Sequence, residues 1–268
     1  MLSRMHLVFV AVEGCLALLS GNTPMMADQR DETSGPMYLA LGDSISIDEY
    51  AGGPGRGGAS LLASNRNDDF PEWRGHDLGT PSWSLLATDG GTTASLLMSQ
   101  LPRLEQGGLH PSVVTLTIGG NDVLSSYGDT RAALHVVATV AERVDEALDR
   151  LARVVAPGAS VVVGTVYDPS DGTGDASRVG LPPWPDVVNV LAELNASLRA
   201  VAGRHGAAVA DIHARFLGHG LSRGNPAQGS PRPSDRDLWY CNIIEPNAWG
   251  ASGVRAAFWE ALGRPQPT

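Results

Sequence analysis

Short apolar runs alternate with longer amphipathic stretches between residues 37 and 264. Met37–Leu41 is apolar and stops at Gly42, and Ser112–Ile118 is rich in β-branched residues and stops at Gly119-Gly120. Ser160–Val166 and Ala207–Ala210 repeat the theme. Branched side chains suit a pleated surface, and short unbroken apolar runs suit strands buried on both faces, so these four segments read as strands. Arg131–Val155 carries Leu134, Val137, Val140, Val144, Leu148 and Leu151 on one helical stripe. Asp186–Ala202 is similarly periodic and opens after Pro185, and Ala248–Leu262 forms a last helix closed by Gly263 and Pro265. Strands alternating with helices predict right-handed crossovers and an α/β domain whose central parallel sheet is covered on both faces.

In such a sheet, ligands bind beyond the carboxyl ends of the strands. The residues to inspect are therefore Gly42-Asp43-Ser44, Gly119-Gly120-Asn121-Asp122 and the acidic stretch after the third strand, with Asp168, Asp171 and Asp175. Ile47–Pro81 is long, polar and rich in Gly, Asn, Asp and Arg. A loop of that length leaving from beside Ser44 is expected to cover substrate. Asp48 lies four residues after Ser44 and is expected to share a helical face with it, contacting substrate, an Arg or only solvent.

Ahead of this domain, Met5–Leu19 is apolar in the manner of a signal segment, but Glu13 interrupts it. Gly21–Pro36 reads as a linker, and Met25, Met26 and Met37 are alternative starts for the chain. Residues 1–36 thus form an extension to a domain at 37–264, and the charge at Glu13 favours a cytoplasmic chain over an exported one. No run of eighteen uncharged apolar residues marks a membrane span.

The chain has 29 acidic and 19 basic residues, a net charge of -10, which disfavours a partner that presents a nucleic-acid backbone. Every basic residue is Arg, so a Schiff-base lysine, a Ser-Lys dyad and a lysine-bearing phosphate loop are excluded. Cys15 and Cys241 offer no disulfide framework. No Cys/His cluster has zinc spacing, and the aspartates at 168, 171 and 175 miss the calcium-loop pattern, so neither metal nor cofactor is expected.

A Ser at a tight turn after a strand can present its hydroxyl to a substrate while nearby amides point at the same space. By itself Gly42-Asp43-Ser44 fits a helix N-cap equally well. Two further pieces converge on the chemistry. The Gly90 N–H, in a glycine turn before a helix, and the Asn121 side-chain amide would join the Ser44 N–H as donors to an oxyanion, often the largest single term in acyl transfer.

With these blocks in order, the sequence resembles the GDSL, or SGNH, hydrolases, serine esterases and lipases on a flavodoxin-like three-layer α/β/α fold. Gly42-Asp43-Ser44, Gly90 and Gly119-Gly120-Asn121-Asp122 match that family's first three blocks. The resemblance implies Ser44 as nucleophile, Gly90 and Asn121 as oxyanion donors with Gly120 and Asp43 beside them, and a small-molecule ester as substrate. The fourth block departs: Asn242 stands where the family has Asp, and Glu245 where it has the catalytic His. Asn242 is expected to donate a hydrogen bond to a Glu245 base, with Trp239, Tyr240 and Trp249 as an apolar wall. His219, between two glycines, is an alternative base. The departure also admits a second reading, a catalytically silent protein that kept the pocket and lost its base.

Overall fold

The structure, a computed structural model, describes residues 36–225 and 230–267. The signal-like segment, Cys15 and the linker through residue 35 lie outside the described residues.

Strand β1 (Met37–Gly42) sets the architecture through its two-residue alternation. Tyr38 and Ala40 enter one hydrophobic core, and Leu39 and Leu41 enter another on the opposite face. A strand apolar on both faces must be covered on both. Between β1 and β2 (Ser82–Leu85) lies α1 (Gly58–Ala63). Then α2 (Thr93–Ser95) runs through a π-helical turn, Leu96–Gln100, into α3 (Leu101–Gln106) and β3 (Val113–Thr117). Next, α4 (Gly120–Leu124) and α5 (Thr130–Leu151) lead to β4 (Ser160–Gly164), and α6 (Val187–Arg204) leads to β5 (Ala208–Ala210). A final segment holds α7 (Ile212–Phe216), the hairpin β6 (Tyr240–Cys241) and β7 (Glu245–Pro246), and α8 (Ala248–Ala261).

The five main strands are parallel in the order β2-β1-β3-β4-β5. Residues of α3, α5 and α6 build one core and those of α1, α7 and α8 the other. This is the flavodoxin-like three-layer α/β/α sandwich. Its chain order reverses between β1 and β3, where the connections diverge and leave a crevice.

All four expected strands and all three long helices occur within a few residues of their predicted limits, with β5 covering three of the four residues expected for the last strand. On α5 the buried stripe starts from Ala133 rather than Leu134, which is 43% exposed. Strand β2 has no counterpart in the sequence reading. Its SWSL is a half-exposed edge strand without an apolar run. Among the described residues no helix is long and apolar enough to cross a membrane.

Most of the segment at 47–81 is built into the domain rather than free to cover substrate, and only its start, with Glu49 and Tyr50, comes near Glu245. All six residues of α1 are buried, and the helix packs on α8 so closely that a Cβ on Gly58 would lie 2.7 Å from Val254 Cγ1. The fully buried Arg255 of α8 holds the rest of the segment. Its guanidinium lies 4.0 Å from the Trp73 ring centre and 4.9 Å from that of Phe70, and Nη1 donates to Asn65 Oδ1 at 2.6 Å. Residues 44–51 form turns rather than a helix, so Asp48 shares no helical face with Ser44. Its carboxylate instead accepts the Gly55 and Gly57 N–H groups at 2.8 and 2.7 Å, satisfying donors in the loop.

Gly42 has φ +122°, and a Cβ there would lie 1.8 Å from the Thr117 carbonyl oxygen at the end of β3. Both the conformation and the space exclude a side chain. Gly42→Ala should therefore cost at least about 3 kcal/mol of unfolding free energy, measured by urea denaturation, or prevent recovery of folded protein.

Candidate active site

At the end of β1 the chain leaves the sheet at Gly42, and the buried side chain of Gln100 holds that exit. Gln100 Oε1 accepts the Gly42 N–H at 2.8 Å, and Nε2 donates to the Gly42 carbonyl at 2.7 Å. The next residue, Asp43, is 1% exposed, and its Oδ1 accepts the Ile45 N–H at 3.2 Å. Burial pushes its carboxyl up to about 7; the Glu245 and Asp122 charges add to the shift, while Thr117 and the Ile45 N–H oppose it. Ser44 follows, 5% exposed, on the wall of an apolar cavity.

The second turn is docked onto the first. Thr88 N–H donates to the Gly42 carbonyl at 3.1 Å, and Gly91 packs so tightly that a Cβ on it would lie 2.4 Å from the same oxygen. Gly90 takes φ +64° and is exposed. Among the described residues the Ser44 and Gly90 N–H groups make no hydrogen bond. After β3, Gly119 turns the chain into α4, and Asn121 Nδ2 donates to the Gly91 carbonyl at 2.9 Å. Asp122 clamps the two turns together, accepting the Thr93 N–H at 2.9 Å and the Thr93 hydroxyl at 2.6 Å. Ser44, Gly120 and Asn121 all line the cavity.

The β6–β7 hairpin brings the acid. Cys241 pairs with Glu245 across it, and the Tyr167 hydroxyl donates to the Ile244 carbonyl at 2.5 Å. The half-buried Glu245 side chain meets the Ser44 hydroxyl. Burial raises its pKa above the usual carboxylate range, the Ser44 contact lowers it, and the Asp89 and Glu49 charges raise it again. Glu245 Oε2 is buried without a hydrogen-bond partner. The contact with Ser44 is thus proximity rather than a well-aligned bond, as is common for catalytic groups without substrate. Tyr50 stands in the same rim, its phenol pushed up to about 12 by burial and by Asp89.

Two expected partners are elsewhere. Asn242 is exposed at φ +50° in the three-residue turn between β6 and β7, and no hydrogen bond joins it to Glu245. Asn tolerates the left-handed conformation that the turn needs, and this is its structural role. His219 is fully buried, with its ring stacked on Trp239 at 3.7 Å. Its Nδ1 lies 3.0 Å from the Asp237 carbonyl and 3.4 Å from Asp235 Oδ1. It lines no part of the cavity beside Ser44. Of the expected apolar wall, Trp249 is 57% exposed and Trp239 is stacked on His219, while the buried Tyr240 packs its ring on Tyr167 and Phe216.

The acidic loop after β4 is self-contained. Asp168 accepts from Ser170 and Gly172, and Asp171 from the Gly218, Gly220 and Ser222 N–H groups. Among the described residues no group of His, Cys, Asp and Glu is placed to hold a metal. Gln100 was not singled out by the sequence. A signal for Gln100 exists, since it is a polar residue among Leu96, Leu97, Leu101 and Leu104 on a buried face.

A hydroxyl and a carboxyl thus meet at the switch point of a flavodoxin-like sheet, beside amide donors that make no hydrogen bond. The chain belongs to the GDSL-like lipase/acylhydrolase family, whose model matches residues 40–250. No curated protein matches it. Similar solved structures include the extracellular lipase from Streptomyces rimosus, at 23% identity and TM-score 0.58 over 85% of this chain and 100% of that one. Phospholipase A1 from Streptomyces albidoflavus NA297 has 25% identity and TM-score 0.55, over 85% of this chain and 98% of that one. An acetylxylan esterase from Geobacillus stearothermophilus has 16% identity and TM-score 0.55, over 88% and 97%.

Two measurements probe this framework. Gln100→Leu strands the Gly42 N–H, costing about 1–3 kcal/mol, and leaves the Gly42 carbonyl with only its bond from Thr88, so it should lower Tm by roughly 5 °C in calorimetry. Asp43 is raised from an ordinary 3.8 to about 7, so its contribution to stability is full below pH 3.8 and is lost as pH rises towards 7. Asp43→Asn mimics the protonated form. Its stability relative to the parent should therefore rise by a few kcal/mol between these two pH values, read by urea unfolding as a function of pH.

Proposed function

We propose that the chain is a serine hydrolase of carboxylic esters, working through an acyl-enzyme on Ser44 with Glu245 as the base where the family's usual His stands. The observation that carries this is the meeting of the Ser44 hydroxyl with a half-buried carboxyl whose pKa is raised and whose Oε2 is unpartnered. Ser44 Oγ attacks the ester carbonyl and its proton passes to Glu245. The carbonyl oxygen becomes an oxyanion, received by the Ser44 and Gly90 N–H groups and the remaining Asn121 amide hydrogen. Collapse breaks the ester C–O bond, and Glu245 returns the proton to the leaving alcohol. Water then attacks the acyl-enzyme through the same base, releasing the carboxylic acid and regenerating the Ser44 hydroxyl.

An ordinary carboxylate is a weak base for a hydroxyl, and efficiency improves as the pKa approaches the working pH. Burial and the Asp89 and Glu49 charges move Glu245 in that direction without help from Asn242. The lipase and phospholipase activities named for the two Streptomyces proteins agree with an ester substrate.

Hydrolysis of p-nitrophenyl esters and stoichiometric labelling of Ser44 by a fluorophosphonate test the reading. Ser44→Ala should abolish both, and Glu245→Gln should lower kcat by about 10²–10⁴. Because the base works ionised, kcat/KM should climb with pH through a midpoint above 4.5, the ordinary value for Glu. Absence of labelling from pH 4 to 9 would turn the reading towards a silent binding protein.

A further inference from the structure

The cavity beside Ser44 is lined mainly by apolar side chains. Its volume is about 100 Å³, and it runs from Ser44 and Asn121 between α4, α6 and the loop after β4. Val123, Val166, Trp184, Leu191 and Leu221 make its apolar walls. The polar side chains that reach these walls are already occupied. Both oxygens of Asp168 accept hydrogen bonds from Ser170 and Gly172, and the Ser170 hydroxyl serves Asp168 and the Gly174 N–H. The Trp184 Nε1–H donates to Thr130 Oγ1 at 2.9 Å. No Arg lines the cavity. A phosphate entering it would lose its water without meeting a cation, and a sugar hydroxyl would find few unused polar groups, whereas methylene groups gain by burial.

We propose that this chamber is the acyl site and that it takes an unsubstituted apolar chain longer than acetyl. The assignment to the acyl side, which rests on the hydrolase reading above, follows from the proton. The group that protonates the leaving oxygen must stand beside the alcohol, and Glu245 lies outside the chamber lining while Ser44 and Asn121 are part of it. With the carbonyl seated at Ser44 and Asn121, the alcohol projects towards Glu245 and the rim of Asp89 and Glu49, where it can depart. The chain that remains on the enzyme after the first step is the one enclosed. The chamber therefore selects the acid, and the acidic rim sees only the alcohol.

The experiment has a binding arm and a kinetic arm. By calorimetry, Ser44→Ala protein should bind p-nitrophenyl octanoate at least tenfold more tightly than p-nitrophenyl acetate. The parent enzyme should show kcat/KM rising from acetate by roughly fourfold per added methylene until the chamber is full. Ala176→Trp, in the loop that forms one wall, should lower the octanoate-to-acetate ratio at least tenfold. Leu191→Trp should do the same from α6, and Ala176 provides the safer variant if the helix substitution does not fold. Octanoate binding to Ser44→Ala without turnover by the parent protein would keep the chamber and remove the hydrolase reading. Turnover with equal rates for acetate and octanoate, unaffected by Ala176→Trp, would keep the hydrolase and overturn the chamber.

Discussion

The close approach of two backbones governs this site. At the end of β1, Gly42 lies so near Thr117 of β3 that no side chain fits, and the Gln100 amide holds both polar groups of the Gly42 peptide. That junction fixes where Ser44 leaves the sheet. It also sets the second turn, because Thr88 and Gly91 pack onto the Gly42 carbonyl. The third block joins through Asn121 to Gly91 and Asp122 to Thr93. One glycine at a strand end thus supports a chain of contacts that carries three segments, 77 positions apart at the extremes of Asn121 and Ser44, to one point. Backbone groups satisfied by buried side chains are rigid in a way that solvated loops are not.

Much of this was legible before any coordinates, for reasons that differ by element. Strands β1, β3 and β4 announce themselves because both their faces are buried, and α5, α6 and α8 because one stripe of each is. The packing of the segment at 47–81 was not legible, because its order comes from long-range contacts that leave no local periodicity. Trp73 and Phe70 look like loop residues until Arg255, almost two hundred positions later, lies against them. His219 was misread for a related reason. Its flanking glycines suggested a mobile loop, but their N–H groups both bind Asp171 Oδ1, at 3.0 and 2.9 Å, which locks the segment. The position of Glu245 was readable from the order of the blocks. The role of Asn242 was not, because a three-residue spacing places two residues together on a helix but not around a hairpin turn.

The proposed choice of Glu245 as base accords with the local charge. The charges that raise the pKa values of Glu245, Asp43 and Tyr50 are acidic, with Asp89 and Glu49 prominent among them. Crowding like charges around a carboxylate disfavours the ionised form, and the relief comes when it takes up a proton. Proton transfer from Ser44 to Glu245 would give that relief while negative charge appears on the substrate oxygen, at the other side of Ser44 and beside amide donors. The negative charge would leave a place that repels it for one built to receive it.

A histidine in the same place would use the same surroundings differently. It begins neutral and becomes a cation, so neighbouring carboxylates stabilise its protonated form and an Asp partner holds its tautomer. A carboxylate needs no tautomer, so an orienting residue at Asn242 is dispensable, and the turn is free to keep a residue suited to its backbone. What a carboxylate does need is a small energetic distance between its ionised and protonated forms. Burial supplies most of it here, with Asp89 and Glu49 adding to it and the Ser44 contact opposing it. A guanidinium placed against Glu245 would remove that balance by stabilising the anion, even with every distance to Ser44 unchanged. Basicity at Glu245 would therefore be a property of the rim as much as of the residue.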